Sequence, residues 1–203
     1  MPRGCRGLTD DEVAKILACD GSFTGRYALR DRALFITGIT TGFRVSELLA
    51  LRLKHIVDEK GEVVKQIRLE AASCKGGEAA TAQPLVDSAR TAIAAWLPRL
   101  RRWGYMTEDC FLFQSLAPGN RPLDRSYVCK ILGRAFQAVG IEGKLGTHCM
   151  RKTFAQAIWK ASNCDANATM LATRHSTPQA LVRYLEHDRQ KVDDMIHKRF
   201  AGL

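Results

Sequence analysis

The sequence predicts a mainly α-helical fold that carries one small antiparallel β-sheet, an α+β arrangement. Through most of the chain, apolar residues recur at the three- and four-residue spacing of a buried helix face. One stretch, VVKQIRLEA, instead alternates apolar and polar residues and is followed by the glycine-containing CKGGE, as in a hairpin. The 203 residues, 46% hydrophobic and 26% charged, have the composition of an ordinary globular protein. We therefore expect one domain over residues 1–203.

Helices are expected first at the amino-terminal end. Thr9 and Glu12 have the spacing of a capping box, which opens a helix through VAKIL that ends before the turn-rich DGSFTG. A second helix is predicted from Tyr27 to about Thr37. Its inward-facing residues should be Leu29, Ala33, Leu34 and Ile36. After an interruption at Gly42, the helical pattern resumes at Val45, Leu48, Leu49 and Leu51.

The alternating stretch predicts a β-hairpin between helical regions. Its apolar face should comprise Val63, Ile67, Leu69 and Ala71, with Gly76 and Gly77 at or near the turn and AATAQPL beyond it. From there the pattern is helical to the end of the chain. Helices are predicted over residues 87–103, 124–139, 147–161, 165–172, 178–186 and 189–200.

Composition and charge narrow the class of protein. No apolar stretch has the length of a membrane span, and the opening MPRGCRGLTDDEV lacks the apolar core of a secretion signal, so we expect a cytoplasmic protein. Seven scattered cysteines without a CxxC pair indicate neither a disulfide framework nor a zinc site. The net charge is +10, and residues 88–160 hold 12 Lys and Arg against 4 Asp and Glu. This excess suits a polyanion such as nucleic acid.

Three residues could bind a phosphate. Arg44 lies inside the otherwise apolar ITTGFRVSELLALRL, and a buried guanidinium requires an anionic partner. His148 and Arg151 share one edge of the helix predicted for THCMRKTFAQAIWKA, near its amino end, where free amide groups also favour anions. An isolated HxxR is more typical of an ordinary amphipathic helix surface, since three-residue motifs recur by chance.

Two further residues could take part in phosphoryl chemistry. In TRHSTPQALVRYLE, Thr177 is the expected cap and Pro178 the first residue of a helix that contains Tyr184. As a nucleophile, Tyr184 would need cations at its target phosphate, and taken alone it is more typical of a core aromatic. Lys75 at the hairpin tip fits a solvated lysine, or a proton donor if neighbouring cations lower its pKa.

The order and spacing of these segments are more specific than any one of them. TGFRVSELLAL, Lys75 in a hairpin, HCMR and then RHSTPQALVRY together resemble the catalytic domain of tyrosine recombinases, the phage integrase family. The resemblance runs from about Leu8 to Phe200. It implies a tyrosine recombinase catalytic-domain-like fold and a site-specific recombinase or integrase that breaks and rejoins DNA.

The resemblance also implies roles for individual residues. Arg44 and Arg151 would clamp the non-bridging oxygens of the scissile phosphate. Tyr184 would attack the phosphorus, giving a 3′-phosphotyrosyl link and a free 5′-hydroxyl. Lys75 would protonate the leaving 5′ oxygen.

Three other residues would assist the reaction. His148 and His175 would position the phosphate and help transfer protons, while Glu47 would orient Arg44 from behind.

Exchanging one phosphodiester for another conserves bond energy, so neither a cofactor nor a metal is expected. The sequence accordingly has neither a GxxxxGK loop nor a carboxylate cluster.

The implied partner is double-stranded DNA, with the protein at the nucleoid. The last predicted helix, with Val192, Met195, Ile196 and Phe200 on one stripe, would dock into a neighbouring subunit of a DNA-bound tetramer.

The family's amino-terminal core-binding domain is expected to be absent. TRHS departs from the small, glycine-containing turn common before that histidine, and Lys152 follows Arg151. Two other functions remain open, a type IB topoisomerase that relaxes DNA as a monomer and a DNA-binding regulator that no longer cuts.

Overall fold

The structure is a computed structural model that describes residues 5–68, 82–105, 107–115, 118–182, 184–185 and 197–201. Its helices are α1 (Asp10–Ala18), α2 (Ala28–Thr41), α3 (Val45–Leu49), α4 (Asp87–Arg102), α5 (Arg125–Ala138), α6 (His148–Ala161), α7 (Ala166–Thr173) and α8 (Pro178–Val182). Residues 197–200 are also helical. The strands are β1 (Gln66–Ile67) and β2 (Gln83–Pro84). No described helix is long and apolar enough to cross a lipid bilayer.

Helix α2 is the centre of the fold and packs against both α4 and α6. Leu34 and Phe35 on α2 and Trp96 on α4 are completely buried, and the Trp96 indole N–H donates to the Leu112 carbonyl at 2.8 Å. Burying each such side chain stabilises the fold by about 1.5–3 kcal/mol. This packing fixes where the carboxyl end of α2 meets the amino end of α6.

The predicted amino-terminal helices are confirmed with two corrections. Helix α2 continues to Thr41, whereas it was predicted to end at about Thr37. The Thr9 hydroxyl accepts from the Glu12 N–H at 3.2 Å, and the Glu12 carboxylate accepts from the Thr9 N–H at 2.9 Å. Leu29 was wrongly predicted to face inward, since it is 36% exposed. The neighbouring Arg30 and Asp31 are buried in its place because they form an ion pair of 2.7 Å.

The small sheet is antiparallel, as predicted, with Gln66 opposite Pro84 and Ile67 opposite Gln83. Among the described residues of the predicted strand over 63–71, β1 comprises Gln66 and Ile67, whereas Val63 pairs with Val57 in an isolated bridge. Residues 69–81 are not among those described. The predicted hairpin tip with Lys75, Gly76 and Gly77 therefore lies outside the described residues.

The carboxyl-terminal helices differ from the prediction at one point that matters for the site. Helices α4 to α7 agree with the predicted bounds within one residue at each end. Helix α8 ends at Val182, so Tyr184 follows the helix, and its N–H donates to the Leu181 carbonyl at 2.7 Å in a tight turn. The predicted helix over residues 189–200 is described only at its end, where Phe200 is 55% exposed.

Candidate active site

Arg151 lies at the junction of three chain segments and is 1% exposed. From the first turn of α6, its guanidinium donates through Nη1 to the Gly42 carbonyl and through Nη2 to the Thr173 carbonyl at 2.6 Å. Nη2 also lies 3.4 Å from His175 Nε2. Burial, assisted by the positive charge of Arg44, lowers the pKa of Arg151 to about 10, so the guanidinium stays charged at neutral pH.

Gly42 makes this arrangement possible at the end of α2. Its φ is 63°, and a Cβ built there would lie 2.2 Å from Cδ1 of the Phe154 ring. Only glycine takes this backbone conformation without strain and leaves the space that the ring occupies. The chain can therefore end α2 close to α6, and the Gly42 carbonyl is directed at Arg151.

Arg44 precedes α3 and is held by the carboxylate of Glu47. The Arg44 N–H donates to Glu47 Oε2 at 2.7 Å, and Arg44 Nη1 donates to Oε1 at 2.8 Å. The Arg44 side chain is 33% exposed, whereas that of Glu47 is 2% exposed. The anionic partner expected for Arg44 is thus Glu47 in the DNA-free chain, and part of the guanidinium faces solvent.

Glu47 has a second cationic partner, Arg174, whose Nη2 donates to Glu47 Oε2 at 2.9 Å. Burial alone would raise the pKa of Glu47. The charge of Arg174 and the hydrogen bonds from Arg44 outweigh burial, and the pKa is lowered. The carboxylate is therefore ionised at neutral pH.

His175 lies in the loop after α7 with its ring orientation fixed. Its Nδ1 is 2.6 Å from the Thr173 hydroxyl, which itself donates to the Thr169 carbonyl at 2.6 Å. Since that hydroxyl has a single proton, the network assigns the His175 proton to Nδ1 and leaves Nε2 as an acceptor. Burial, with the charges of Arg151, Arg44 and Arg174, lowers the pKa of His175 to about 4. The imidazole is therefore neutral at neutral pH.

Tyr184 completes the cluster. Its ring centroid lies 4.5 Å from that of His175, and Cζ of Arg151 lies 5.5 Å from it. His148, the first residue of α6, is exposed. Partial desolvation and the nearby charges, including those of Arg125 and Arg151, lower the pKa of His148.

The structure thus brings together five of the predicted site residues, from segments far apart in the chain: Arg44, Glu47, Arg151, His175 and Tyr184. His148 lies three residues before Arg151 on the same helix. Lys75 lies outside the described residues.

Sequence reasoning did not identify Arg174 and Thr173 as part of the site. Arg174 binds Glu47, and Thr173 contributes both the carbonyl that binds Arg151 and the hydroxyl that orients His175. A signal for Arg174 was present in TRHS, where a charged residue stands in place of a small turn residue.

The chemistry of this cluster suits a phosphate diester. Two guanidinium groups fixed by carbonyl and carboxylate oxygens can bind non-bridging phosphate oxygens and stabilise the charge that develops on them. A neutral imidazole with an unprotonated nitrogen lies beside a phenol, and such a pair can exchange a proton.

Comparisons with known proteins agree with this site. The sequence pattern described as the phage integrase family matches residues 6–191. The chain is 28% identical over 174 residues to the probable integrase/recombinase YoeC of Bacillus subtilis, with 86% of each chain covered. It is 29% identical over 182 residues to tyrosine recombinase XerC 1 of Ralstonia nicotianae, covering 85% of this chain and 54% of the relative.

Solved structures show the same fold. XerH site-specific recombinase bound to palindromic difH substrate, in a post-cleavage complex, superposes with a TM-score of 0.74 at 21% identity, covering 94% of this chain and 52% of that chain. XerA recombinase gives a TM-score of 0.71 at 19% identity, covering 97% and 66%. The chain spans most of YoeC but only about half of XerC 1 and XerH. The predicted tyrosine recombinase catalytic-domain-like fold is confirmed, and the chain belongs to the phage integrase family.

Proposed function

We propose that this chain is the catalytic domain of a site-specific DNA recombinase that cleaves and rejoins DNA through a 3′-phosphotyrosyl intermediate. One observation carries the proposal. Arg151 and His175 lie against the ring of Tyr184, and Arg44, from a third segment, is close enough for its charge to act on both of them. The net charge of +10 favours a DNA substrate, and relatives of the same fold have been crystallised bound to DNA.

The proposed cleavage step uses these residues together with Lys75. Arg44 and Arg151 bind the non-bridging oxygens of the scissile phosphate, so that Tyr184 Oη can attack the phosphorus. The new P–O bond to Tyr184 forms as the bond to the 5′ oxygen breaks. The phenol proton passes to His175 Nε2, which the hydrogen-bond network leaves unprotonated. The leaving 5′ oxygen takes a proton from Lys75.

Rejoining is the reverse reaction with a different 5′-hydroxyl as nucleophile. Because one phosphodiester replaces another, no external energy source is required. Exchange between two duplexes requires several active sites on one DNA complex, and we propose a tetramer linked through the carboxyl-terminal helix. The exposure of Phe200 at the helical end of the chain supports this assembly. We infer that the protein acts in the cytoplasm, at the nucleoid, where its proposed DNA substrate lies.

Covalent capture tests the proposal. The chain is incubated with nicked, fragmented DNA from its source and denatured, and any nucleotide-bearing peptide is mapped by mass spectrometry. We expect the adduct on Tyr184, its loss in Tyr184→Phe and its retention in Tyr105→Phe, a matched change outside the cluster. DNA binding should survive in both variants. An adduct that persists in Tyr184→Phe would refute the nucleophile assignment.

Variants of the two arginines test the clamp. Arg44→Ala and Arg151→Ala should each slow adduct formation by about 10²–10³, the usual effect of removing one preorganised donor to a developing oxyanion. Near-normal rates would contradict their role.

Relaxation of supercoiled plasmid without strand exchange would indicate a type IB topoisomerase instead. Salt-sensitive binding without any adduct would indicate a regulator that does not cut, and either result would overturn the proposal.

A further inference from the structure

Arg174 stands between two parts of the candidate site. It is the last residue of the turn that closes α7 and comes directly before His175. Its side chain reaches back to α3, where Nη2 binds Glu47 Oε2 at 2.9 Å, and its Cζ lies 4.7 Å from the Phe43 ring centroid. Residues 174 and 47 are 127 positions apart in the chain. The contact therefore ties the segment that leads to Tyr184 to the segment that carries Arg44.

The backbone at Arg174 is strained. Its φ of 56° and ψ of 45° lie in the left-handed region, which is unfavourable for a residue that carries a side chain. A glycine would take this conformation freely. An arginine at a strained position beside a reactive cluster points to a contribution from its side chain that glycine could not make.

The contribution of Arg174 follows from the way in which Glu47 binds two arginines, Arg44 and Arg174. Among the described residues, Glu47 Oε1 binds the Arg44 guanidinium alone, while Oε2 binds both the Arg44 N–H and Arg174. Without Arg174, the single negative charge of Glu47 would be balanced by Arg44 alone. With Arg174 present, that charge is divided between two guanidinium groups, and more of the Arg44 charge remains available to an anion.

The same contact limits the movement of Glu47. A carboxylate that is 2% exposed and held from two sides cannot change rotamer without losing a buried ion pair. Arg44, which is 33% exposed, depends on that carboxylate for its orientation. Arg174 is only 14% exposed, so it is less accessible to the DNA backbone than Arg44.

We propose that Arg174 is a positioning residue for DNA cleavage, which acts through Glu47 to hold the Arg44 guanidinium in place and to keep its charge available to the scissile phosphate. This inference rests on the proposed function. It assigns to Arg174 an effect on the rate of the cleavage step and none on the affinity for DNA.

Four variants test the proposal: Arg174→Gly, Arg174→Lys, Glu47→Gln and the double variant Arg174→Gly/Glu47→Gln. The glycine removes the side chain and relieves the backbone strain, whereas the lysine keeps the charge. Asn163→Gly is the matched control, because Asn163 also has a positive φ of 53° but is exposed and makes no contact with the cluster. Urea denaturation verifies that each variant is folded.

The readouts are the single-turnover rate of Tyr184 adduct formation on end-labelled, nicked fragments of source DNA and the salt dependence of binding to the same fragments. Arg174→Gly should slow the adduct by about 10- to 100-fold, less than loss of a direct phosphate donor. Arg174→Lys should recover part of the rate, and Asn163→Gly should match the parent. The double variant should be no slower than the slower single variant, since both changes break one pathway.

Three results would overturn the inference. Additive effects in the double variant would mean that Arg174 does not act through Glu47. A shallower salt dependence in Arg174→Gly, by about 0.9 in the log–log slope for each lost phosphate contact, would mean that Arg174 binds DNA directly. A parent-like rate in Arg174→Gly would mean that the contact is only structural. If instead the parent chain itself forms no adduct on Tyr184, the proposed function fails first.

Discussion

Replacing Gly42 by alanine tests the reasoning about how α2 and α6 meet. Two separate penalties follow from the structure. The backbone at Gly42 is left-handed, with φ of 63°, which costs an alanine about 1–2 kcal/mol. The added methyl group would also lie 2.2 Å from Phe154 Cδ1, with two further ring atoms within 2.9 Å. Forcing the ring aside should cost about 1–3 kcal/mol more.

The structure supplies a control that separates the two penalties. Gly140 has nearly the same backbone conformation, with φ of 66°, but a Cβ there would have no described neighbour within 4 Å. Gly140→Ala should therefore lower the free energy of unfolding by about 1–2 kcal/mol, the backbone penalty alone. Gly42→Ala should lower it by about 2–5 kcal/mol, the sum of both penalties.

Equilibrium urea denaturation of the DNA-free protein, followed by circular dichroism, measures both values. In the double variant Gly42→Ala/Phe154→Leu, a smaller side chain replaces the ring. The double variant should lose less stability than the sum of the two single variants, because the two changes share one contact. If Gly42→Ala were no more destabilising than Gly140→Ala, the close approach of Phe154 to the end of α2 would be refuted.

Three other predictions concern charge. The folded-state pKa of His175 is about 4, against an ordinary value of 6.5, so the unfolded chain binds more protons between these values. The contribution of His175 to the free energy of unfolding should be fully present above about pH 6.5 and should fall by up to about 3 kcal/mol as the pH drops toward 4. In urea titrations at several pH values, His175→Gln should lack this part of the pH dependence. Arg30→Met should destabilise the fold by about 3–5 kcal/mol, because Asp31 would stay buried without its partner; a loss below 1 kcal/mol would contradict a buried pair. Lys75→Ala should cleave ordinary DNA slowly but a 5′-bridging phosphorothiolate normally, since that leaving group needs no proton; equal defects on both substrates would exclude Lys75 as the proton donor.

Local patterns predicted the parts of the fold that depend on local interactions. The capping box at Thr9 and the ends of α4 to α7 could be predicted because caps and amphipathic spacing act within a few residues. The exposure of Leu29 could not be predicted in this way. It depends on the burial of the Arg30–Asp31 ion pair, in which Arg30 also donates to the Gln114 carbonyl, 84 positions away in the chain. The end of α8 before Tyr184 was likewise not visible in the apolar pattern.

The sequence by itself determined which chemical groups are present, in what order and with what spacing. That was enough to identify the family and to name Arg44, Arg151, His175 and Tyr184 as candidates. Only the tertiary structure decided how these groups affect one another. Glu47 is shared with Arg174, the His175 proton is on Nδ1, and the pKa of His175 is low. Burial and Coulomb interactions depend on distances through space, and folding sets those distances between segments that the chain keeps far apart.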